Sequence, residues 1–188
     1  MTLANKITIV RLCLIPAFVW LALAYGRSVV SGQPGDWYRL GAIAVFLAAA
    51  CSDGLDGFVA RRFNQQSRLG SILDPIADKG LIATTLIVLA VARWPQGLPL
   101  WFPCIVIGRD LILVLGFTVL NRLIPNVTVR PSLAGKLSTV FQLATILWTL
   151  LSLPVLFQAL LFVSTALTIV SGFGYVFDGF RQLLRREK

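Results

Sequence analysis

Six long apolar runs dominate this 188-residue chain, at about 7–26, 38–60, 71–93, 99–120, 135–152 and 155–177. Crossing a bilayer takes roughly 20 mostly apolar residues in helical form. Within hydrocarbon every backbone N–H and C=O must be satisfied inside the segment, and a run of this kind can do so only as a helix. The fold expected is therefore an all-α integral membrane protein with six transmembrane helices. Composition agrees: 57% of residues are hydrophobic and 13% charged, where a soluble domain carries about 25% charge. The connections are short and turn-like, with Gly32-Gln33-Pro34-Gly35 after the first run, Pro95-Gln96-Gly97 after the third and Pro154 before the last. No linker or repeat divides the chain, so residues 1–188 read as one domain.

Lysine and arginine set the orientation of such a bundle. With the N-terminus in the cytoplasm, Lys6, Arg11, Arg61, Arg62, Arg68, Arg122, Arg130, Lys136, Arg181, Arg185, Arg186 and Lys188 all fall on that side. Only Arg27, Arg39 and Arg93 fall on the other. Both termini are thus expected in the cytoplasm. Tyr25, Trp37, Tyr38, Trp94 and Trp101 then gather at the outer interface, where amphipathic rings prefer to lie. The first run has a leader-like look, with Lys6 and Arg11 ahead of it and Ala22-Leu23-Ala24 near its end. Its length and the five runs that follow favour a retained span. Residues 177–188 read as a short juxtamembrane amphipathic tail whose cations meet anionic headgroups.

Composition also closes off several chemistries. The chain contains no histidine, which removes imidazole bases and the Ser-His-Asp arrangement. Cys13, Cys51 and Cys104 stand alone in apolar sequence, without metal-ligand or disulfide spacing, and read as small buried hydrophobes. The net charge of +9 comes from residues scattered between apolar runs rather than from one basic surface, so no nucleic-acid partner is expected.

Against that background one stretch stands out. Between Cys51 and Gly80 lie Asp53, Asp56, Asp74 and Asp78, half of the chain's eight acidic residues. Carboxylates beside a bilayer are costly without compensation, and Arg61, Arg62 and Lys79 are few for the task. On helices, Asp53 and Asp56 share one face, as do Asp74 and Asp78. Two facing helices would bring the four together, a set suited to two divalent cations such as Mg2+ or Mn2+. Gly57, Ala60 and Gly70 are small enough to admit a bulky ligand, or equally to let helices pack closely. Asp74 before Pro75 has the pattern of a helix N-cap, which would leave Asp78 unexplained. A divalent-cation pathway would use carboxylates too, but it would place them near the bilayer centre rather than at one end.

The order Asp53-x-x-Asp56-Gly57-x-x-Ala60-Arg61, eight residues, then Gly70-x-x-x-Asp74-x-x-x-Asp78 resembles the complete signature of the CDP-alcohol phosphotransferases. The opening Asn5-Lys6-Ile7-Thr8-x-x-Arg11 is similar to the segment before that family's first span. The resemblance implies six spans, a homodimer, and transfer of a phosphatidyl or phosphoalcohol unit from a CDP-linked donor to a hydroxyl with release of CMP. It implies Asp53, Asp56 and Asp74 as ligands of two metal ions, Asp78 beside them as general base, and Asp53, Gly57, Ala60, Arg61 and Gly70 around the CDP moiety.

For the acceptor, Arg109, Arg130 and Lys136 are the candidate phosphate-binding cations. Arg109 lies mid-span, and Asp110, rotated by about 100° along a helix, reads as a poor partner for it. Leu14-Ile15-Pro16, Asp74-Pro75-x-x-Asp78-Lys79 and Gly135-Lys136-x-x-Thr139 resemble the phosphatidylglycerophosphate synthase branch, implying CDP-diacylglycerol as donor and glycerol 3-phosphate as acceptor. Gly108-Arg109-Asp110 is also similar to the CDP-diacylglycerol-dependent cardiolipin synthases, whose acceptor is phosphatidylglycerol. The location implied is the inner (plasma) membrane of a bacterium, with the active site facing the cytoplasm.

Overall fold

A computed structural model describes the backbone of residues 3–63, 68–123 and 133–184, and the side chains of 9–52, 79–120, 122 and 133–179. All six expected runs are helices: α1 (Leu3–Val30), α2 (Asp36–Phe63), α3 (Arg68–Val91), α4 (Trp101–Leu123), α5 (Leu133–Leu150) and α6 (Phe157–Leu184). Among the described residues four stretches are long and apolar enough to cross a membrane, Ile9–Val30, Trp101–Leu120, Leu133–Leu150 and Phe157–Gly179, with a shorter apolar stretch at Lys79–Val91. Several helices outrun the apolar stretches. The N-terminal motif from Asn5 to Arg11 is the first part of α1, and the C-terminal tail continues α6 as far as Leu184. Likewise α3 begins at Arg68, so Asp74 and Pro75 lie inside the helix and the N-cap reading of Asp74 fails.

Helix ends follow local chemistry. At the end of α1, Gly32 adopts φ +74°, Gly32 N–H donates to Val29 O and Gln33 N–H to Ser28 O. That is a Schellman stop, and glycine takes the left-handed position at no steric cost. The end of α5 repeats the pattern with Ser152 at φ +54° and Leu153 N–H donating to Trp148 O.

The chain divides into two compact units. In the first, α1 lies against both α2 and α3. Its buried stripe is Phe18, Ala22 and Tyr25, that of α2 is Ala42, Phe46 and Ala49, and that of α3 includes Leu81, Ile82, Thr85, Leu86 and Leu89, with Ala92 just past its end. Phe18 meets Phe46 with ring centroids 6.1 Å apart. A Cβ on Gly41 would sit 3.2 Å from the Leu21 side chain, and one on Gly26 would sit 2.9 Å from Ala92 O. Gly26 is thus what permits α1 to approach the end of α3 so closely.

Two of the five residues expected at an aromatic belt belong to this core. Tyr25 and Trp94 are buried, with ring centroids 4.6 Å apart, and Trp94 Nε1 donates to Ala22 O at 3.2 Å. Trp37, Tyr38 and Trp101 are exposed, as a belt requires. The difference arises because residues 92–98 fold back on α1, and Trp94 finds an acceptor for its indole N–H there.

In the second unit α4 packs on α6. Here the buried residues are strongly hydroxylic: Ser138, Gln142 and Thr145 on α5, and Ser164, Thr168 and Ser171 on α6. Gln142 Nε2 donates to Thr168 Oγ1 at 2.9 Å, and Thr168 Oγ1 donates to Ser164 O at 2.7 Å. By contrast Leu111, Ile112, Val114, Leu115, Phe117 and Val119 of α4 are exposed. Cys13, Cys51 and Cys104 are exposed too, contrary to the expectation that they are buried. Where the outer surface is as apolar as the inside, a small hydrophobe has no reason to be internal.

Candidate active site

The buried stripes of the first unit lead directly to the aspartates. On α2 the stripe Ala42, Phe46, Ala49 advances by four and three residues. Continued in the same helix, the next steps are Asp53, Asp56 and Ala60. On α3, stepping back from Leu89 through Thr85 and Ile82 reaches Asp78 and then Asp74. Steps of three and four keep to one side of a helix. All four aspartates therefore occupy register positions that extend the inward stripes of two helices in the same unit.

The side chains of Asp53, Asp56, Ala60, Arg61, Asp74 and Asp78 lie outside the described residues, as do Gly57 and Gly70 beyond their places on α2 and α3. Among the described residues no three His, Cys, Asp or Glu side chains cluster. The donor set itself is informative. Four carboxylates with no histidine anywhere in the chain offer oxygen ligands alone. Such a set fits hard divalent cations such as Mg2+ and Mn2+ and is ill suited to softer metals.

One buried cation of this unit escaped sequence reading. Arg11, expected as an orientation signal at the membrane surface, is only 1% exposed. The available signal was its spacing of seven from Phe18, which puts both on one side of α1.

Of the three candidate acceptor cations, Arg130 lies outside the described residues, and Lys136 is exposed in the first turn of α5. There Ser138 and Thr139 hydroxyls both donate to Gly135 O, at 2.9 and 3.2 Å. Arg109 is 9% exposed and well provided with partners. Its Nη1 meets Asp110 Oδ1 at 2.7 Å, its Nη2 donates to Ser171 Oγ at 2.6 Å, and its guanidinium carbon lies 5.6 Å from the Tyr175 ring centroid. The expectation that Asp110 is a poor partner is thus wrong. A long arginine side chain can curl around the helix and cancel the 100° between neighbours, and inside a bilayer the saving in charge energy rewards it. Gly172 makes room, since a Cβ there would approach Arg109 Cγ to 3.3 Å. Arg109 also borders an apolar cavity of about 320 Å³ between α4 and α6, lined by Cys104, Gly108, Gly172 and Phe173 among others.

The sequence model of the CDP-alcohol phosphatidyltransferases matches residues 1–170. The chain belongs to that family, and with it to the membrane-bound transferases of phospholipid biosynthesis. It is 36% identical over 186 residues to a Mycobacterium tuberculosis (strain ATCC 25618 / H37Rv) protein named "Probable phosphatidylglycerophosphate synthase", covering 96% of this chain and 83% of that one. It is 32% identical over 176 residues to the CDP-diacylglycerol--glycerol-3-phosphate 3-phosphatidyltransferase of Escherichia coli (strain K12), covering 90% of each. A "Cardiolipin synthase (CMP-forming)" of Streptomyces coelicolor (strain ATCC BAA-471 / A3(2) / M145) is 37% identical over 122 residues, covering 65% of this chain and 53% of that protein.

Proposed function

We propose that this protein transfers the phosphatidyl group of CDP-diacylglycerol to the hydroxyl of glycerol 3-phosphate, giving phosphatidylglycerophosphate and CMP. The observation that carries this choice is extent of similarity. The relatives named for phosphatidylglycerophosphate synthesis or a glycerol-3-phosphate acceptor match over 90% or more of this chain, whereas the cardiolipin synthase matches over 65%. The chain works as one functional domain with six membrane crossings, both termini and the aspartates on the cytoplasmic side of a bacterial inner membrane, and it assembles as a homodimer. The excess of cations on the loops of one side supports this orientation.

Asp53, Asp56, Asp74 and Asp78 hold two divalent ions, Mg2+ or Mn2+. When bound, such ions neutralise charge on the pyrophosphate and on the departing CMP. Gly57 and Gly70 leave the backbone open to the CDP moiety, Ala60 borders it, and Arg61 offers a cation to its phosphates. In the reaction the acceptor oxygen forms a bond to the phosphatidyl phosphorus. The bond from that phosphorus to the bridging oxygen breaks, and CMP leaves with the electron pair. Asp78 accepts the hydroxyl proton. In phosphoryl transfer the protein chiefly positions groups and offsets charge, a task that carboxylates and cations set on helices suit.

For the acceptor phosphate, Lys136 and Arg130 are the first cations, with Arg109 the third. Arg109 would have to exchange Asp110 or Ser171 for the phosphate, a cost that the exposed Lys136 does not carry. The Gly108-Arg109-Asp110 sequence and the Streptomyces relative favour a second reading, in which the acceptor is phosphatidylglycerol.

One experiment separates them. Purified protein in mixed micelles with Mg2+ or Mn2+ is given CDP-diacylglycerol and, in turn, glycerol 3-phosphate, phosphatidylglycerol, inositol phosphate and serine. CMP should appear with glycerol 3-phosphate and stay at background without acceptor or with EDTA. A strict requirement for phosphatidylglycerol would replace the first reading by the second.

A further inference from the structure

An arginine that is 1% exposed inside a helical unit demands an anion close by. The register of the helices shows which anions are level with it. Phe18 of α1 faces Phe46 of α2, and the two helices run antiparallel because the short turn around Gly32 joins them. Seven residues before Phe18 stands Arg11, and seven after Phe46 stands Asp53. Seven residues are close to two helical turns, so each step preserves the facing side. Arg11 and Asp53 therefore occupy opposed register positions.

The third helix gives the same level independently. Gly26 of α1 lies against Ala92 at the end of α3, and these helices run parallel. Fifteen residues before Gly26 is Arg11, and fourteen before Ala92 is Asp78. Both are near four turns, which again keeps the side. Asp36, the one carboxylate of α1 to α3 outside the four-aspartate stretch, sits at the far end of α2, largely exposed and 3.4 Å from Arg39.

We propose that Arg11 is the resident counter-cation of the aspartate cluster: level with Asp53 and Asp78 inside the three-helix unit, it holds their carboxylates in position and offsets part of their charge while no metal is bound. Its role toward metal rests on the reading of the aspartates as metal ligands; its pairing with them does not. Arg11 is a positioning residue here, acting through the carboxylates. An arginine suits the task because its planar fork engages carboxylates in a fixed geometry and stays charged when buried.

The test is a thermal-unfolding cycle on the full chain in nanodiscs, using the wild type, Arg11→Met, Asp53→Asn, Asp78→Asn and the two double variants, each in EDTA and in Mn2+. In EDTA, Arg11→Met should lower Tm by on the order of 10 °C, the scale expected for an uncompensated buried charge. Adding Asp53→Asn or Asp78→Asn should restore part of that loss, and Arg11→Lys should lose less. In Mn2+ the loss from Arg11→Met should shrink to less than half, because the ion replaces the missing positive charge. Linkage then requires the variant to bind Mn2+ more tightly than wild type, which electron paramagnetic resonance reads directly. Equal losses with and without Mn2+, together with additive losses in the double variants, would overturn the proposal. If Arg11→Met yields no folded protein, the same cycle on Arg11→Lys decides by the same criterion. Wild-type protein that binds no Mn2+ would sink the metal reading of the site, while the EDTA arm would still decide the pairing.

Discussion

The two helical units bury polar groups in opposite ways. In α1 to α3 the described core is mostly apolar and aromatic, with Arg11 its buried charge and Thr85 its buried hydroxyl. In the unit containing α4 and α6, polarity runs along the helices as hydroxyls and one amide, with Arg109 the buried charge among the described residues. Hydroxyls are cheap to bury because they can donate to carbonyls of their own helix, as Thr145 does to Phe141 O at 2.7 Å. Carboxylates have no such outlet. The carboxylate site proposed above would need cations to compensate it, and it places the chemistry in the first unit.

The largest effect of a single substitution is expected in the first unit. Asp78→Asn should reduce CMP release by about 10³-fold, within the range for loss of a general base, while CDP-diacylglycerol binding persists. Turnover at the wild-type rate would remove Asp78 from that role. In the second unit the greatest loss should come from Arg109→Met. It removes the cation paired with Asp110 and hydrogen-bonded to Ser171 and should cost about 3 kcal/mol, seen as a lower unfolding temperature both with and without Mn2+. A metal-dependent loss there would show that the division between the units is drawn in the wrong place.

Glycines give a finer contrast. Gly26→Ala would drive a Cβ to 2.9 Å from the backbone oxygen of Ala92, which cannot rotate away. A loss of about 1–3 kcal/mol is expected, measured by the same unfolding assay. Gly116→Ala on α4 meets nothing within 4 Å and should be neutral or stabilising by up to about 1 kcal/mol, since alanine favours a helix interior. Similar effects at the two positions would mean that α1 does not depend on its close approach to the end of α3.

Much of the architecture was legible in the sequence. Hydrocarbon leaves an apolar run only the helix, so the six elements and their order followed from composition alone. The aspartate spacing was legible for a related reason: helical periodicity converts steps of three and four into a shared face without reference to any neighbour. What sequence could not supply was the identity of the neighbours. Tyr25 and Trp94 looked like interface residues until the fold-back after α3 placed one ring on the other. The three cysteines looked internal because the outside of a membrane protein is as apolar as its inside, and periodicity cannot tell the two apart.

The charged residues show the division most clearly. That a set of carboxylates existed, with the spacing to share a site and no histidine to compete with them, was determined by the chain alone. Where the buried cations lie was decided in three dimensions. Arg109 was assigned to a phosphate, and the structure ties it to Asp110, Ser171 and Tyr175. Arg11 passed as one more cytoplasmic charge, and the structure buries it completely. Local spacing fixes the face of a helix on which a charge lies, because that depends on backbone geometry alone. Whether that face meets lipid, water or an opposite charge depends on helices distant in sequence, so only tertiary packing could settle it.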